Sequence, residues 1–119
     1  MNTQPTVTFV LNLAGTYAWS VAVPAHDADG RICHWTLQVR FRRLTRSALA
    51  ELNAQATDNS ITIDDYVDQV LDGFEPFQTD QGVHQDDAEG RRVLFDVFPA
   101  AAAIMAAHRR SIEELFAKN

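Results

Sequence analysis

At 119 residues and 13.3 kDa, the chain has room for one domain, 1–119, and its 46% hydrophobic residues suffice to bury a core without disulfides or a structural metal. A net charge of −6 and a pI near 5.0 exclude phosphate-backbone binding as the main activity, so no nucleic-acid partner is expected. The single cysteine, Cys33, excludes an intrachain disulfide, and the longest apolar run, Pro99 to Ala107, is far short of the roughly 20 residues a membrane helix needs, so neither a membrane span nor a membrane partner is expected.

Residues 1–43 alternate with period two. Val7, Phe9, Leu11 and Leu13 face one way over Thr6–Leu13, and Tyr17, Trp19, Val21 and Val23 alternate with Ala18, Ser20 and Ala22. The same pattern places Cys33, Trp35, Leu37, Val39 and Phe41 on a dry face opposite His34, Thr36, Gln38, Arg40 and Arg42. Ala14-Gly15-Thr16 and His26-Asp27-Ala28-Asp29-Gly30 supply the turns. The expectation is an antiparallel meander or hairpin of two or three strands with one apolar face to cover.

The cover comes from residues 45–118, where the hydrophobic period changes to 3.6. Thr45 caps a helix expected over 46–56, with Leu49, Leu52 and Ala56 inward. Thr62 caps a second, whose Asp64 and Asp65 suit the positive end of the helix dipole and whose Ile63, Tyr66, Val67, Val70 and Leu71 form one stripe, with Gly73 as its stop. A loop, Phe74 to Gln85, leads to a third helix near 86–98 that packs through Gly90, Val93, Leu94, Val97 and Phe98. Pro99 either ends that helix or opens a fourth near 100–117, packed through Ile104, Met105, His108, Ile112, Leu115 and Phe116. The fold class expected is therefore α+β, an N-terminal β-meander followed by about four α-helices.

Charge is distributed unevenly. Residues 58–89 hold eight Asp and two Glu without a Lys or Arg, between flanks that each carry +2. Such a belt is either a solvated face or a contact for a basic partner. No group of residues makes a catalytic constellation: the glycines are scattered, Cys33 falls on the dry face where a thiol is inert, and Asp64, Asp65, Asp68 and Asp72 point away from the apolar stripe into water. Asp80, His84, Asp86 and Asp87 are the nearest approach to a metal site, but they lack calcium-loop spacing and suit a solvated loop and a helix start. No catalytic residue, cofactor or metal is expected, and the chain is not expected to be an enzyme. Phe74-Glu75-Pro76-Phe77 places two aromatics around a proline outside regular structure, which either pin the loop to the core or offer an apolar anchor to a partner. With the carboxylates of Asp64, Asp65, Asp68 and Asp72 nearby, Phe74 and Phe77 form the candidate partner-binding site.

Leu37-Gln38-Val39-Arg40-Phe41-Arg42-Arg43-Leu44 followed by Thr45-Arg46-Ser47-Ala48-Leu49, then Asp64-Asp65-Tyr66 through Gly73-Phe74, then Val93-Leu94-Phe95-Asp96-Val97-Phe98-Pro99 before an alanine run, resembles in order the small tail assembly chaperones of long-tailed bacteriophages and prophages. The resemblance covers roughly residues 20–118. It implies a protein–protein interaction factor of the host cytoplasm, without cofactor or catalysis, that binds the long helical tape-measure protein and recruits tail-tube subunits, with a homo-oligomer possible. The alternative from another class is an acidic inhibitor or DNA-mimic module that occupies a basic groove of a host protein.

Overall fold

The computed structural model describes residues 6, 8 and 15–117. Most of the first expected strand, Thr6–Leu13, lies outside the described residues; Thr6 and Thr8 are exposed and belong to no strand. Two 11-residue strands, β1 (Thr16–His26) and β2 (Ile32–Arg42), form the hairpin that the period-two pattern demands. They pair antiparallel from Thr16↔Arg42 to His26↔Ile32 without a bulge. Asp27 makes the turn: its Oδ1 accepts from the Asp29 and Arg31 backbone N–H groups, and Gly30 takes φ +78°.

Helix α1 (Arg46–Thr57) starts at Thr45, whose side chain accepts from Ala48 N–H. Leu52 is its only buried residue. Helix α2 (Ile63–Val70) opens with a capping box in which Thr62 and Asp65 satisfy each other's backbone N–H groups. It stops three residues before the expected Gly73, because the chain turns into a strand, β3 (Leu71–Phe74), on the free side of β2. Leu71 and Phe74 are therefore buried as strand residues, and the sheet runs β1-β2-β3. The β3 register slips between Arg40 and Phe41, so Asp72 is the extra residue of a bulge. Gly73 serves close packing rather than helix termination: a Cβ there would sit 2.7 Å from Asp86 Oδ2.

The expected loop 74–85 contains a second, two-stranded sheet, β4 (Phe77–Thr79) and β5 (Gly82–His84), tightened by Gly82 at φ +118°. Helix α3 (Ala88–Asp96) begins at Asp87, whose Oδ1 accepts from Gly90 N–H at 2.7 Å. A Cβ on Gly90 would collide with the Gln85 carbonyl oxygen. Pro99, after a cis peptide bond, separates α3 from α4 (Ala100–Ala117). Helices α4 and α2 cover the sheet: Ala100, Ala101, Ile104, Tyr66, Val67 and Val70 meet Val21, Val23, Leu37, Val39 and Phe41 in one core. The fold is α+β, a three-strand sheet and four helices, as the change of period predicts.

Five residues expected inside are exposed. Phe98 is 92% exposed because α3 ends at Asp96, before its last apolar position. Leu115 and Phe116 are exposed because α4 runs past the elements it covers, and Cys33 is exposed because the far end of the hairpin extends beyond the helices. Ile63, in the first turn of α2, is also partly open to water.

Candidate partner-binding surfaces

The expected site divides into a buried half and a committed half. Phe74 and Phe77 retain 7% and 9% of their exposure and belong to the core. Phe77 stacks against Trp35, Phe74 and His84 at centroid distances of 5.7, 5.8 and 5.1 Å, so these aromatics fasten the small β4–β5 sheet to the large one. The anchor reading of Phe74 and Phe77 is thereby corrected to the pinning reading, since a ring already buried in its own core has no face for a partner.

Three of the four carboxylates serve the fold. Asp65 closes the α2 capping box. Asp68 lies 3.7 Å from Arg91, and Asp72 lies 3.7 Å from Arg42, whose Nη1 also donates to the Asp68 and Gln69 carbonyls. Asp64 is exposed and makes no side-chain contact with a cation among the described residues. The Asp80–Asp87 group is similarly employed: His84 Nε2 bonds Thr79 Oγ1 at 2.7 Å, Asp86 pairs with Arg91 at 3.2 Å, and Asp87 caps α3. No cluster of three potential metal ligands exists among the described residues.

A polar chain runs through the core beneath α4. Tyr66 O–H meets His108 Nδ1 at 2.7 Å; Ser111 O–H donates to the His108 carbonyl at 2.6 Å and shares a 2.7 Å bond with the Tyr17 hydroxyl. This chain ties α2, α4 and β1 together. His108 is 1% exposed, with its ring against Phe41 and Tyr66, and burial followed by the neighbouring Arg109 charge pushes its pKa down to about 4. Burial also raises both tyrosines above their ordinary value, so all three groups are neutral at pH 7. With Tyr66 donating to Nδ1, the Nε2 of His108 is left without a partner among the described residues. The i, i+4 spacing of Ile104 and His108 marks an inward histidine, but nothing in the sequence names Tyr66 and Ser111 as its companions.

Among the described residues, apolar side chains gather at the surface near each end of α4. At the C-terminal end of α4, Ile112, Leu115 and Phe116 share one stripe, with Leu115 and Phe116 71% and 72% exposed. Ile112 also lines a groove between α1 and α4 with Leu49, Asn53, Thr57 and Tyr66, and Arg109 and Glu113 supply one charge of each sign. At the other end of the molecule, Phe98, Ile32, Pro24, Ala25 and Pro99 form a second patch. Comparison with protein-family models, with curated proteins and with solved structures finds no match to the chain. No helix among the described residues is long and apolar enough to cross a membrane.

Proposed function

We propose that the protein is a phage tail assembly chaperone, a non-catalytic factor of the host cytoplasm that binds the tape-measure protein and helps recruit tail-tube subunits. The sequence resemblance names the partners. The observation that carries the reading is the stripe Ile112-Leu115-Phe116 beside the α1–α4 groove, because an amphipathic helix binds by laying its apolar face into such a groove. An unassembled tape-measure helix presents that kind of face. With Leu52 as its only buried residue, α1 suits the role, since a weakly held helix can adjust as a partner enters. The acidic-inhibitor alternative has less to work with, because Asp68 and Asp72 already face Arg91 and Arg42 and Asp65 caps α2.

The test is co-expression of the tagged chain with the tape-measure and tail-tube proteins of its own phage, followed by affinity capture. Capture of the tape-measure protein is expected, and its loss when Leu115→Asp and Phe116→Asp are introduced together. Both side chains are exposed, so the melting temperature of the double variant should stay where it is. Failure of the unchanged protein to capture the tape-measure protein rejects the reading.

A further inference from the structure

We draw no further inference here: the strongest candidate, the apolar surface patch that Phe98, Ile32, Pro24 and Pro99 make at the far end of the β1–β2 hairpin, carries nothing because nothing in the structure shows what covers it.

Discussion

At the β3 side of the sheet, charge and aromatics are engaged by the fold: Arg91 reaches the Leu71 and Asp72 carbonyls, Asp68 and Asp86, while Phe74 and Phe77 are enclosed by Trp35 and His84. At the β1 side, among the described residues, less is engaged: the groove beside the strand is lined by alanines of α4 with Arg110, and Phe98 is exposed. Three of the four acidic residues that read as a binding surface in the sequence, Asp65, Asp68 and Asp72, belong to the β3 side and hold groups of the fold.

The largest effect expected from this difference is at Phe74. Removing a buried ring that packs on Phe77 leaves a cavity on the β3 side, so Phe74→Ala should cost about 3–5 kcal/mol in chemical denaturation. A cost below about 1 kcal/mol would mean that the ring is not a pin and would reopen the anchor reading.

Acid should loosen β1 from its helix layer. Folded His108 has a pKa of about 4 against 6.5 for an unhindered histidine, so between those values the unfolded chain binds more protons than the folded one. The stability His108 protects is complete above pH 6.5 and declines as pH falls toward 4, by on the order of 3 kcal/mol over the window. The groups facing the ring are Tyr66, Phe41 and the Arg109 charge, with no carboxylate recorded against it to offset the proton. Urea midpoints from pH 7.5 to 4.5 should slope steeply in the parent and less in His108→Leu; equal slopes remove the histidine from the account.

Arg91→Ala tests the seal itself. It strips a cation from two β3 carbonyls and two carboxylates, and charged hydrogen bonds of this kind contribute about 1.5–3 kcal/mol, so a loss of about 2 kcal/mol is expected. Arg110→Ala, beside the β1 groove, should cost less than about 0.5 kcal/mol. Comparable losses at both sites would remove the distinction between the edges.

How much of this was legible in the sequence follows from what each signal measures. Period two over Tyr17–Val23 and Trp35–Phe41 marked the buried face of the hairpin, and Thr45, Thr62 and their neighbours marked the starts of α1 and α2, because strand alternation and capping are local. Leu71-Asp72-Gly73-Phe74 read as a helix end and a loop, since its strand exists only by pairing with β2, some 30 residues back, and tertiary pairing outweighs local preference. The misplacement of the site has the same origin. Phe74 and Phe77 looked available because their flanking Pro76 suggested an irregular loop, whereas Phe98 looked buried because it continued a helical period that the chain breaks at Asp96.

Phe98 supplies the smallest expected change in stability and the most direct contrast with Phe74. Both are phenylalanines next to a strand or helix end, but one is 7% and the other 92% exposed. Phe98→Ser removes a ring that nothing among the described residues covers, so unfolding at low micromolar concentration should shift by less than about 0.5 kcal/mol. A stability loss approaching that of Phe74→Ala would mean that Phe98 is covered by its own chain, and the β1 side of the molecule would then be engaged like the other.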